Sequence, residues 1–259
     1  MKFISTLILF FILSTMANSE IITSDVDYKI GDVTLQGYAA YDNSLTGKRP
    51  GILIVHQWKG LTEYEKMRAR QLAELGYYAF AVDIYGKGVR PENPQDAGQL
   101  SGKFAKDRPL FRERLMAGFD EMKMQSLVDA NNVAAIGYCF GGAGVLELAR
   151  TGADLKANIS FHGSLKNPNP QDAQNIKGRV LILHGAIDPF VPEDEVIAFK
   201  KEMEDAKIDY VLTEYSGAVH SFTIPTAGSD ISTGSAYNEK ADKRSWDAMR
   251  KFFDDVFLK

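Results

Sequence analysis

Val133-Ala134-Ala135-Ile136-Gly137-Tyr138-Cys139-Phe140-Gly141-Gly142 is the stretch that decides the fold of this chain. An apolar, β-branched run leads into Gly-x-Cys-x-Gly, and the helix-like Val145-Leu146-Glu147-Leu148-Ala149-Arg150 follows. Strand, glycine-flanked nucleophile, helix is the order of a nucleophile elbow, here with sulfur in place of oxygen. A reactive residue on so sharp a turn is held at a strained backbone angle, and only small residues fit two places before and after it. The turn also aims the following backbone N–H groups and the helix N-terminus at the reacting centre, where they stabilise an anion. Cys139 is the single cysteine. Buried alone, a cysteine behaves as a small hydrophobe, so its surroundings must carry the argument.

Outward from the elbow, strands alternate with helices. Residues 26–41 alternate in polarity around Gly31-Asp32 and predict an opening β-hairpin. Gly51-Ile52-Leu53-Ile54-Val55 is continuously apolar, as a strand buried on both faces requires. Thr62-Glu63-Tyr64-Glu65 is a capping box, and the helix behind it stops at Gly76. Tyr78–Val82 is a further strand, 86–108 a polar loop, and 110–127 a helix. Strands over 133–136, 157–161, 180–184 and 210–215 follow, with helices over 142–150, 193–206 and 239–257. This pattern predicts an α/β fold, a mostly parallel twisted sheet flanked by helices.

The chain has 259 residues and a net charge of −4. Its charges are interspersed, so no basic face for nucleic acid is built. Met1-Lys2, an apolar run to Met16 and Ala17-Asn18-Ser19 describe a signal peptide over 1–19. Residues 20–259 are then one domain of an exported, periplasmic or secreted protein with no stable membrane anchor after cleavage. Whether that domain is a monomer or a dimer is left open.

Ligands of an open parallel sheet bind beyond the carboxyl ends of its strands. His56, His162, His184 and His220 all lie at such ends. In the fold class of the elbow, nucleophile, acid and histidine follow in that order along the chain. Asp188 comes after Cys139, and of the four histidines His220 alone comes after Asp188. The expected triad is Cys139, Asp188 and His220. His56 and His162 are expected in the substrate pocket with Gln57, Tyr85, Lys87 and Phe222, and His184 supports it. Phe140 is one expected backbone donor of an oxyanion hole, and the loop after 52–55, near Gln57 or Trp58, supplies the other. Without H-E-x-x-H or closely spaced histidines, no metal is expected, and no cofactor.

These segments together resemble the dienelactone hydrolase family (carboxymethylenebutenolidases and relatives), cysteine hydrolases of the α/β-hydrolase fold. The resemblance rests on His56-Gln57-Trp58-Lys59-Gly60-Leu61, Asp83-Ile84-Tyr85-Gly86, Gly137 to Gly142, His184-Gly185 with Asp188-Pro189-Phe190-Val191-Pro192, and His220-Ser221-Phe222. It implies a hydrolase that cleaves a small ester or lactone through an acyl-enzyme on Cys139, with the backbone of Phe140 and Trp58 as oxyanion donors; the expected signal peptide makes this an exported member. Three positions depart from the family pattern. Gln57 stands where relatives carry a glutamate that meets the resting thiol. Lys87 and Ile224 stand where dienelactone-opening enzymes carry arginines, and neither offers a bidentate fork to a carboxylate. The alternative is a non-catalytic ligand-binding protein that keeps the fold; a fast-reacting, low-pKa thiol would separate the two.

Overall fold

Hydrophobic burial on both faces of a central sheet organises the molecule, whose computed structural model describes residues 20–257. The expected signal peptide lies outside the described residues. β1 (Ile21–Ile30) and β2 (Val33–Asp42) form the opening hairpin, longer than predicted, turning at Gly31 with φ 54°. β3 (Arg49–Val55), β4 (Tyr78–Val82), β5 (Val128–Tyr138), β6 (Ala157–Phe161), β7 (Arg179–Gly185) and β8 (Tyr210–Tyr215) complete one eight-stranded sheet. Its order is β1-β2-β4-β3-β5-β6-β7-β8, antiparallel from β1 to β4 and parallel beyond.

Residues 52–55 of β3 are fully buried, and their side chains alternate between two cores. Ile52 and Ile54 join α1 (Glu63–Glu74) and α6 (Glu239–Phe257) on one face. Leu53 and Val55 join α2 (Pro94–Lys106), α3 (Arg108–Met124) and α4 (Phe140–Arg150) on the other. α5 (Glu193–Asp205) seals a third cluster over β7 with Phe199 and Met203.

Two expectations need correction. The stretch 86–108 is not all loop, because α2 occupies most of it. Its glycines and polar residues hide a helix whose start is well specified: Asn93 Oδ1 caps the N–H of Asp96 at 2.9 Å, and Pro94 takes the first helical position. β5 starts at Val128 rather than 133, and its register against β3 shifts between Pro50 and Gly51.

Candidate active site

Three loops at the carboxyl ends of β5, β7 and β8 bring Cys139, Asp188 and His220 together. Cys139 ends β5 and opens α4 at φ 56°, ψ −116°, a region that costs an L-residue energy. The turn is pinned from both sides: the Cys139 N–H donates to Phe161 O at 3.0 Å, and its carbonyl accepts from Gly142 at 3.0 Å. A Cβ on Gly137 would lie 2.1 Å from Gly141 O, and one on Gly141 would lie 2.1 Å from Val55 O. The glycines are required by close backbone approach.

His220 Nδ1 donates to Asp188 Oδ2 at 2.8 Å, and His220 Nε2 lies 3.0 Å from Cys139 Sγ. Asp188 is buried, and its other oxygen accepts the N–H of Phe190 at 2.9 Å, which fixes the carboxylate. Burial disfavours the His220 cation, but the Cys139 sulfur and the Asp188 carboxylate outweigh it and push the pKa up to about 10.

The other three histidines are driven the opposite way. His56 is fully buried, and desolvation pushes its pKa down to about 4. Its Nε2 accepts the Ile84 N–H at 3.2 Å, so the neutral ring carries its proton on Nδ1, 2.6 Å from Gln57 O. His162 is held well below the usual range by burial and by the neighbouring His220 charge. Its Nε2 lies 2.8 Å from Thr223 Oγ1, and its ring meets that of His220 edge to face, centroids 5.2 Å apart. Burial also lowers His184. One cationic histidine faces the thiol, and neutral histidines back it.

A cavity of about 330 Å³ opens over Cys139 and His220, walled by Trp58, Phe140, Ser164, Phe190 and Val191 and by a face of α2. Trp58 is shared with a second cavity of about 570 Å³, lined also by Gln57, Tyr64 and Ile224. The expected oxyanion donors Phe140 and Trp58 both border the first cavity.

Most of the expected pocket residues are placed elsewhere. Lys87 turns outward to pair with Asp27 on β1, because its loop is tied to the hairpin by its own N–H to Thr34 O. His56, His162 and Phe222 are buried behind the site rather than lining it. Tyr85 is also buried, but its hydroxyl donates to Trp58 O at 2.9 Å and braces the loop after β3. Gln57 lines the second cavity. Two contributors were missed by sequence reasoning. α2 was read as loop, although Asn93-Pro94 signals its start. Glu65 was read only as a cap, yet its buried carboxylate also accepts the Gln57 N–H at 3.2 Å and anchors the same loop. Among the described residues, no cluster of three or more His, Cys, Asp or Glu could hold a metal ion.

With this geometry in view, the likenesses to known proteins are coherent. The model of the dienelactone hydrolase family matches residues 35–257. Protein usf of Aquifex pyrophilus is 31% identical over 76% of this chain and 85% of its own length. A putative carboxymethylenebutenolidase of Aquifex aeolicus is 28% identical over 88% of this chain and 96% of its own length. A solved structure described as a dienelactone hydrolase-like promiscuous phosphotriesterase from metagenomic libraries superposes with a TM-score of 0.87. It is 39% identical, and the match covers 91% of this chain and 98% of that one.

Proposed function

The chain belongs to the dienelactone hydrolase family, hydrolases of ester and lactone bonds, and from that premise we propose that Cys139, His220 and Asp188 form its catalytic triad. The observation that carries the reading is the unbroken chain of contacts from Asp188 Oδ2 through His220 to Cys139 Sγ, 2.8 Å and 3.0 Å long, at the mouth of a cavity. Asp188 fixes the His220 tautomer, and His220 holds the proton that leaves Cys139 as the sulfur attacks. Sγ attacks the carbonyl carbon of a small ester or lactone, forming a C–S bond. The backbone N–H groups of Phe140 and Trp58 hold the oxyanion. As the C–O bond breaks, His220 gives its proton to the departing alkoxide. The neutral imidazole then takes a proton from water, which attacks the thioester and releases the acid and the thiolate.

Cys139→Ala should abolish turnover of p-nitrophenyl acetate while leaving the circular dichroism and melting curve unchanged. Turnover equal to the parent's would remove the assignment. We propose in addition that residues 1–19 direct export and are removed, which the mass of the chain recovered from its host would test. An N-terminus near Glu20 is the expected result, and intact Met1 the contrary one.

A further inference from the structure

The cavity over Cys139 is bounded on one side by Gly98, Ser101, Gly102 and Ala105, which recur at helical spacing and so share one face of α2. Packing does not demand the glycines there. A Cβ at Gly102 would meet nothing within 4 Å, and one at Gly98 would only touch Trp58 Cζ3 at 4.0 Å. Alanine would fit both positions and make a better helix. What glycine adds is open volume beside the thiol.

Apart from the His220–Cys139 pair, the other walls are as uncharged as this one. Phe190 and Val191 are apolar, and Ser164 spends its hydroxyl on Glu195 at 2.7 Å, so the charge behind that wall is negative. No lysine or arginine lines the cavity, and the nearby basic residues are turned to other partners or away from it. Lys103 lies over the Phe104 ring, Lys87 pairs with Asp27, and Arg108 pairs with Glu147. A carboxylate buried here would lose its hydration, and the one cation at the cavity, His220, is already held by Asp188 and the Cys139 sulfur.

We propose that this cavity is the acyl pocket and that it takes uncharged acyl groups, so the substrates are esters or lactones of neutral monocarboxylic acids. The α2 face sets how long an acyl chain fits. The inference rests on Cys139 being the nucleophile.

The test compares p-nitrophenyl hexanoate with mono-p-nitrophenyl adipate, which share a leaving group and a chain length and differ by one terminal carboxylate. The hexanoate should be favoured by at least about a hundredfold in kcat/KM, since leaving even a neutral buried polar group unpaired costs about that much and a charge more. Gly102→Leu should lower the hexanoate-to-acetate ratio of kcat/KM at least about tenfold by filling the pocket, with Gly102→Ala near the parent in melting temperature. Equal turnover of adipate and hexanoate by the parent overturns the proposal, whatever the variant does. An unchanged chain-length ratio in a folded Gly102→Leu removes α2 as the limiting wall. If Cys139→Ala abolishes hydrolysis in either case, the triad stands and only the pocket assignment has failed. Turnover that survives Cys139→Ala, or none in the parent, fails both.

Discussion

Cys139, Gly137 and Gly141 form a unit in which the strain of one residue depends on the absence of side chains on the others. The positive φ of Cys139 holds only because Gly137 and Gly141 let three backbone segments approach closely. Gly141→Ala should therefore destabilise the fold by ~1–3 kcal/mol, the range for forcing an extra carbon into a packed interior, and should displace the elbow. Urea unfolding measures the first effect and kcat the second. This level was the most legible from sequence, because elbow geometry is specified within a few consecutive residues. The roles of the histidines were less so. Order along the chain singled out His220, but nothing in it distinguished lining the cavity from lying behind it. Burial decides that: His56 and His162 are neutral because they are desolvated. The raised pKa of His220 makes a prediction of its own. Its proton is held at neutral pH and lost as pH rises through about 10. Once it is lost, no acid remains to protonate a departing alkoxide. For an alkyl ester such as ethyl acetate, kcat/KM should fall with an apparent pKa near 10. A fall centred near 7 would mean that His220 rests neutral.

α2 is the element on which sequence and structure part. Two glycines, a serine and a lysine-rich end give it a loop's composition, and its apolar contribution is little more than Ala97 and Phe104. Ala97, Leu100 and Phe104 recur at helical spacing, but so few apolar residues are easily overlooked, and the clearer signals were the cap Asn93 and Pro94. The feature that obscured the helix, its small residues, is also what leaves the cavity open. Such a helix holds its place by a few contacts and depends on its cap. Asn93→Ala should cost ~1 kcal/mol. It should also speed amide exchange across 94–106 more than in α3, and raise KM for p-nitrophenyl hexanoate more than it lowers kcat, because the pocket wall frays while the triad stays fixed. Uniform exchange across α2 and α3 would show that the cap does not control the wall. By contrast β3, β4 and β7 were readable as strands because burial on both faces demands unbroken apolar runs.

At the scale of the whole molecule, the helix that follows the nucleophile is anchored at its far end by charges that sequence gives no means of pairing. Arg150, in the last turn of α4, donates from Nε and Nη2 to the two carboxylate oxygens of Glu202 on α5, both at 2.9 Å. Both side chains are buried. Glu147 on α4 meets Arg150 as well as Arg108 and Arg112 of α3, so three helices share one charge cluster. Partners 52 residues apart in the chain carry no local pattern, which is why the strands were legible and this cluster was not. The Arg150 end of α4 lies a helix length from Cys139, with ten residues between them. Breaking a buried pair by removing one partner leaves an uncompensated charge, at a cost of ~3–5 kcal/mol. Arg150→Met should therefore lower the unfolding free energy read from urea titration by that amount while its folded form keeps the parent's kcat on p-nitrophenyl acetate. Restoring neutrality with Glu202→Met in the same chain should recover much of the lost stability, since two apolar side chains leave no charge unpaired. A double variant as unstable as the sum of the two singles would show that the cluster contributes through Glu147 and its arginines rather than through the α4–α5 pair.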